Sequence, residues 1–245
     1  PYVGRLTKGR YLFDEREYFM DIHGFAKDTD FECVKHTPDS LLLKLESSDF
    51  TRMQYPFDFV LLVEYRLEGK CLSVRYCVEN TGDCTMYFGL GGHPGFNVPL
   101  EDGLDFSDYF VCFDSFKPEK IRQVSMSDDC FVLGIEAFDG IDNGGILPLR
   151  HEMFDHDVII LETDIKKVSL MSHGGQRGVT VTFPNMRYLG LWHRPHSDAP
   201  YICIEPWTSL PSSKDIVADI SKQENLVVVE RGKSYNNEWH ICLIS

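Results

Sequence analysis

The sequence of residues 1–245 predicts an all-β domain of antiparallel sheets, and three observations carry that expectation. Apolar residues recur with period two, turn residues punctuate the runs at short intervals, and helical character is confined to 213–221. In 58–68 the odd positions Phe59, Leu61, Val63, Tyr65 and Leu67 are apolar, while Asp58, Glu64, Arg66 and Glu68 carry charge. The parity inverts in the next run, where Leu72, Val74, Tyr76 and Val78 alternate with Ser73, Arg75 and Glu79. Glu68-Gly69-Lys70 between them is a turn signal. Alternation of this kind puts every apolar side chain on one face, so the two runs read as a half-buried β-hairpin.

The other strands follow in order. Residues 31–35 and 41–45 precede the hairpin; 85–90, 109–113, 158–161, 168–171, 179–183, 188–192, 201–204, 226–229 and 240–244 follow it. Asn80-Thr81-Gly82-Asp83, Asp139-Gly140, Asp142-Asn143-Gly144-Gly145 and Gly174-Gly175 supply the turns. Many short strands with regular turns predict an antiparallel sandwich or barrel. Without a repeat, a low-complexity tract or a linker, one domain over 1–245 is the economical expectation.

Composition narrows the function. A hydrophobic fraction of 43% is enough to build a real core. A formal net charge of -14 repels phosphate backbones and anionic lipids, which argues against nucleic-acid and membrane partners. No apolar stretch reaches the ~18 residues that span a bilayer. The eight cysteines are scattered, form no Cys-x-x-Cys pair, and several sit in apolar runs. They read as reduced core thiols of a cytoplasmic protein. The chain opens at Pro1 with no signal peptide, which leaves a processed or truncated start as the expectation.

Two segments carry candidate chemistry. Gly91-Gly92-His93-Pro94-Gly95-Phe96-Asn97 holds an imidazole among residues that a regular strand interior rejects. Glu205 follows the apolar run Tyr201-Ile202-Cys203-Ile204 and precedes Pro206, which puts a carboxylate at the mouth of a strand. An imidazole and a carboxylate at strand ends are the parts of a general acid–base pair. His23 in His23-Gly24-Phe25-Ala26-Lys27 is a second histidine beside a glycine. Trp192, Trp207 and Phe96 lie near these groups in sequence. Aromatic faces beside directional polar groups suit a sugar. The acidic, histidine-bearing run His151-Glu152-Met153-Phe154-Asp155-His156-Asp157 lacks the His-Glu-x-x-His spacing of a zinc motif, so no metal is expected there. No Gly-rich nucleotide loop or Gly-x-Ser-x-Gly elbow is present.

Together these motifs resemble the aldose 1-epimerase (galactose mutarotase-like) family, and its LacX-like branch in particular. The resemblance runs from Pro1-Tyr2-Val3-Gly4-Arg5-Leu6 through His23-Gly24-Phe25-Ala26-Lys27-Asp28, Gly91-Gly92-His93-Pro94-Gly95-Phe96-Asn97 and Asp157-Val158-Ile159-Ile160-Leu161. It ends at Cys203-Ile204-Glu205-Pro206-Trp207. It implies a galactose mutarotase-like β-supersandwich that begins where a typical member has already laid down strands. It also implies that Glu205 matches the catalytic base and His93 the general acid. His23 would match the histidine that holds the ring, and Arg5 the substrate-positioning arginine. Asp157, with Asp155 as the alternative two residues away, would match the aspartate on the sugar hydroxyls. Lys27 stands where the LacX-like pattern usually has arginine, which weakens a fork-type anion contact.

The implied activity is anomer interconversion of a hexose by proton transfer, with no cofactor and no metal. A small sugar is the expected partner, and the chain a monomer or homodimer. Two alternatives stand beside it. A hexose 6-phosphate mutarotase would draw its cations from Arg5 and Lys27, and a non-catalytic carbohydrate-binding protein would keep the fold alone.

Overall fold

The computed structural model describes all 245 residues, folded as two compact units interleaved in the sequence. The first comprises Pro1–Glu68, Leu72–Leu90 and Thr208–Glu238; the second comprises Gly69–Cys71, Gly91–Trp207 and Trp239–Ser245. Most elements are antiparallel strands, as the alternation predicts.

In the first unit β1 (Arg10–Phe13) and β2 (Arg16–Phe19) form a hairpin whose Asp14 and Glu15 both turn with positive φ. A meander follows, made of β3 (Glu32–His36), β4 (Ser40–Glu46), β5 (Phe59–Glu68) and β6 (Cys71–Asn80). Leu41, Leu43 and Leu45 of β4 face Tyr65, Val63 and Leu61 of β5, so the predicted alternation does set the register. The short α1 (Asp49–Gln54) joins β4 to β5 and is capped by Ser48, whose side chain accepts from the Thr51 backbone. No helix was expected there, whereas 213–221 yields only a tight turn at Ile220–Lys222. β7 (Met86–Phe88) closes the series. Tyr11, Tyr55, Phe57, Phe59, Met86 and Phe88 form the heart of this unit's core.

The second unit contains β8 (Gly95–Asn97), β9 (Tyr109–Phe113), β10 (Ile121–Met126), β11 (Val132–Ala137) and β12 (Ile146–Pro148). β13 (Ile159–Thr163), β14 (Lys167–Ser172), β15 (Gly178–Thr182), β16 (Tyr188–Trp192) and β17 (Tyr201–Trp207) follow. Six of these make a sheet in the order β11-β10-β13-β16-β17-β8. Four more run β12-β9-β14-β15. β18 (Val227–Val229) returns to pair with β7 in the first unit. β19 (Ser234–Ile244) belongs to the first unit by its opening residues, and from His240 onward it pairs with β15 in the second. Ile160, Leu161, Leu189, Leu191, Ile202 and Ile204 are fully buried, so β13, β16 and β17 form the rigid centre of the six-stranded sheet.

Three sequence expectations need correction. Glu205 does not end its strand: β17 runs on through Pro206 to Trp207. Beyond Cys203 the partner of β17 is no longer β8 but the short Gly91-Gly92 backbone, where Pro206 accepts from Gly92 N–H and only the return bond is lost. Gly95–Asn97, expected to be irregular, forms that short edge strand. The expectation of uniformly reduced thiols also fails. Cys71 and Cys242 form a disulfide within the second unit, across a sequence separation of 171. A period-two pattern shows which way a cysteine faces but not which distant strand brings another beside it. Cys33, Cys77, Cys84, Cys112, Cys130 and Cys203 are free. No helix is long and apolar enough to cross a membrane.

Candidate active site

The site grows from β17. Successive side chains of a strand point to opposite faces. Cys203, Glu205 and Trp207 therefore share one face, and Ile202, Ile204 and Pro206 take the other. On the neighbouring β16, Trp192, Gly190 and Tyr188 stand opposite Cys203, Glu205 and Trp207 in turn.

Glycines make room for the Trp207 indole. A Cβ on Gly91 would lie 2.5 Å from Trp207 Cδ1, and one on Gly190 would lie 2.8 Å from Cζ2. Any larger residue at either place would push the ring aside. So held, the buried Trp207 donates its indole N–H to the Glu205 carboxylate.

The breaker-rich run beside β17 is fixed by backbone bonds on both sides of His93. Gly92 N–H donates to Pro206 O at 3.0 Å, and Ile204 N–H donates to Pro94 O at 3.2 Å. A Cβ on Gly92 would meet the Trp239 ring at 2.5 Å, so this glycine serves close approach. The outcome is a His93 side chain aimed along the sheet face, with Nδ1 3.3 Å from Glu205 Oε1. The Trp192 and His93 rings meet in a T-shaped arrangement, with centroids 5.9 Å apart.

The two groups differ sharply in exposure: the His93 side chain is 50% accessible and that of Glu205 is 2%. Burial pushes the Glu205 carboxyl up to about 8. The Trp207 hydrogen bond opposes this rise, and the nearby Asp157 charge adds to it. Desolvation holds the His93 imidazole below its ordinary value, against a backbone hydrogen bond that raises it. Near neutral pH the pair therefore holds one proton, and the carboxyl keeps it. Environments have moved a carboxylate and an imidazole toward each other's range, the pattern of an acid–base couple.

Asp157 stands just before β13 in a left-handed backbone conformation, φ 75°. Its Oδ2 accepts from Cys130 Sγ at 3.0 Å. Asp157 is the carboxylate whose charge reaches Glu205, whereas Asp155 is occupied by His196, whose Nδ1 lies 3.2 Å away. Asp157 also lines a cleft of about 660 Å³ whose walls include neither His93 nor Glu205. His151 packs into the fold: its Nδ1 meets Nε2 of the buried His193 at 3.1 Å and its ring stacks on Phe106.

Arg5, His23 and Lys27 belong to the first unit. Gly4 N–H donates to His23 Nδ1 at 3.1 Å, and His23 N–H donates to Gly4 O at 2.9 Å. The paired bonds place His23 beside the Gly4-Arg5 segment and leave its Nε2 to carry the ring proton. Lys27 is exposed and ion-paired with Asp28. The sequence reading did not single out Cys203, which lies beside Glu205 but outside the acid–base pair. The signal was its spacing of two from Glu205, which puts both on one strand face.

The chain thus presents an all-β fold of antiparallel sheets with a carboxyl and an imidazole paired on one sheet face. The aldose 1-epimerase family model matches residues 1–242, and the chain belongs to that family. Among curated proteins it is similar to the plasmid-encoded protein LacX of Lactococcus lactis subsp. lactis. That relative is 28% identical over 224 residues, covering 87% of this chain and 73% of the relative. Among solved structures, a galactose mutarotase related enzyme from Lactobacillus acidophilus aligns with TM-score 0.93 at 28% identity, covering 100% of this chain and 81% of the other. A galactose mutarotase-like protein from Lactobacillus casei aligns at 0.92 and 28% identity, covering 99% and 83%. The fold is the galactose mutarotase-like β-sandwich.

Proposed function

We propose that this chain is an aldose 1-epimerase acting on a free hexose, with Glu205 and His93 as the proton-transfer pair. The observation that carries the reading is the 3.3 Å contact between a buried carboxyl and a half-exposed imidazole. In a cyclic sugar the anomeric hydroxyl and the ring oxygen are bonded to the same carbon, so two adjacent side chains can reach both. The single shared proton first passes from Glu205 to His93 across their 3.3 Å contact; Glu205 then takes the proton from the C1 hydroxyl as His93 delivers its own to the ring oxygen, and the C1–O5 bond opens. Rotation about C1–C2 presents the other carbonyl face. Closure then returns each proton by the reverse path. Opening a hemiacetal needs protonic acid and base alone, so the proposal includes no cofactor.

Asp157, whose charge reaches Glu205, suits the sugar hydroxyls, and Trp192 packs beside His93 as an aromatic surface for the sugar. Arg5 and His23 keep the substrate-positioning roles that the resemblance assigns them. On this reading residues 1–245 constitute a single functional domain, and the protein works as a monomer or homodimer. A neutral sugar is favoured over a 6-phosphate because the pairing with Asp28 draws the Lys27 charge away from a ligand. The net charge of -14 also opposes a dianion at long range. Polarimetry on a panel of free aldohexoses and their 6-phosphates tests the proposal. Faster equilibration of a free hexose supports it. Preference for a phosphate that is abolished by Lys27→Ala overturns the substrate class, and no acceleration of any sugar overturns the activity.

A further inference from the structure

We propose that His93, Cys203 and Glu205 form a three-ligand site for a zinc-like divalent transition metal, and that the bound metal switches the acid–base pair off. The second half rests on the proposed function; the first stands on geometry alone. One ligand atom from each residue lies within 4.8 Å of the others. A tetrahedral zinc ion with bonds of ~2.0–2.3 Å holds its ligand atoms roughly 3.3–3.6 Å apart. The His93–Glu205 edge, at 3.3 Å, is already at that length. Cys203 Sγ completes the tripod by a small inward movement, and the sequence leaves it space. On β8, Gly95 stands opposite Cys203, and a Cβ there would approach Sγ only to 3.6 Å.

The donor set selects the metal. Imidazole, thiolate and one carboxylate suit zinc or cobalt, not magnesium or calcium, which take all-oxygen ligands. The thiolate and carboxylate together neutralise a dication, which matters because both side chains are buried. Three protein ligands leave the fourth position open, and half-exposed His93 is the side from which the ion and a water enter.

The consequence follows from shared atoms. A metal on the His93 nitrogen and the Glu205 oxygen occupies the lone pairs that the sugar's protons need. Cys203 has no part in the proton transfers, so it can be changed without touching them. Metal and sugar should therefore compete, and a chelator should restore activity.

Cobalt(II) titrated into the metal-stripped full chain tests the site directly. A one-to-one complex with thiolate-to-cobalt charge-transfer absorption in the near ultraviolet is expected, displaced by zinc. Cys203→Ser and Cys203→Ala should both lose that band, and His93→Asn should weaken binding by at least about tenfold. In the mutarotation assay, zinc should inhibit the wild type competitively with sugar. Cys203→Ser should keep its turnover and resist zinc by a similar factor. Urea melts of both Cys203 variants check that they are folded. Cobalt binding without the band, a band that survives in folded Cys203 variants, or unchanged zinc sensitivity in Cys203→Ser would overturn the proposal. Because the cobalt spectrum needs no turnover, a band in a protein without mutarotase activity upholds the metal site and removes only the catalytic reading.

Discussion

The indole N–H of Trp207 donates to the carboxylate of Glu205, two residues back along the same strand. Adjacent residues of one sheet face are seldom free to meet in this way. Here Gly91 and Gly190 supply the space, one on each side of the ring. The hydrogen bond stabilises the charged carboxylate in a buried place that otherwise favours the acid. The slot that holds Trp207 thus tunes the neighbouring carboxyl.

Filling the slot should cost both stability and rate. Gly190→Ala puts a methyl against Trp207 Cζ2, and overpacking of a tight core typically costs about 1–3 kcal/mol. The displaced indole would loosen its bond to Glu205, so kcat should fall more than KM rises. Urea unfolding and polarimetry on the same preparation check this. Unchanged values on both would show that the slot has slack.

The buried carboxyl predicts a pH-dependent stability. The Glu205 carboxyl has a folded value near 8 against an ordinary 4.5, so between those limits the native state holds a proton that the unfolded chain releases. The stability this gives is fully present below the unfolded value and is lost as pH rises through the folded one. Across the interval the effect is on the order of a few kcal/mol. Glu205→Gln does not titrate, so its stability relative to wild type should grow from about pH 5 to about pH 9. A difference that stays constant with pH would place the carboxyl in water.

The disulfide gives a covalent prediction. Thiol titration of denatured, unreduced protein should find the six free cysteines and not eight. Cys71→Ala should lower stability by about 2–4 kcal/mol, the usual range for removing such a link. Eight titratable thiols in protein purified without reductant would show the link unformed.

Much of this was legible in the sequence, and the omissions have physical causes. Period two exposed β5 and β6 because each buries one face. It said nothing clear for β10 and β11, where Arg122-Gln123 and Gly134 interrupt the apolar pattern at the edge of a sheet. His93 and Glu205 stood out as acid–base groups amid breakers and apolar residues. Their contact depends on backbone bonds from Gly92 and Pro94 to β17, which no local pattern encodes. The same is true of Cys71 with Cys242, and of the interleaving of the two units.

The paired groups also predict the shape of the pH profile. The working form holds one proton between Glu205 and His93, so kcat/KM should be bell-shaped, with limbs that belong to the pair. Below the depressed His93 value both groups are protonated and no base remains. Above about 8 both are deprotonated and no acid remains. Trp207→Phe removes a bond that favours the carboxylate, so it should move the alkaline limb upward. A rate that stays flat well above pH 8 would show that His93 need not carry a proton.

The central claim is that Glu205 and His93 act as one proton-transfer unit. Its most direct test is steady-state mutarotation by Glu205→Gln, His93→Asn and the double variant, with kcat and KM separated. Each single substitution should lower kcat by about 10²–10⁴-fold while KM changes little, since both keep shape and hydrogen-bonding capacity. The double variant should be little worse than the poorer single one, because residues that act in one step are not additive. Near-normal kcat in either single variant, with the loss confined to sugar binding, would contradict the account and make the residue a ligand contact.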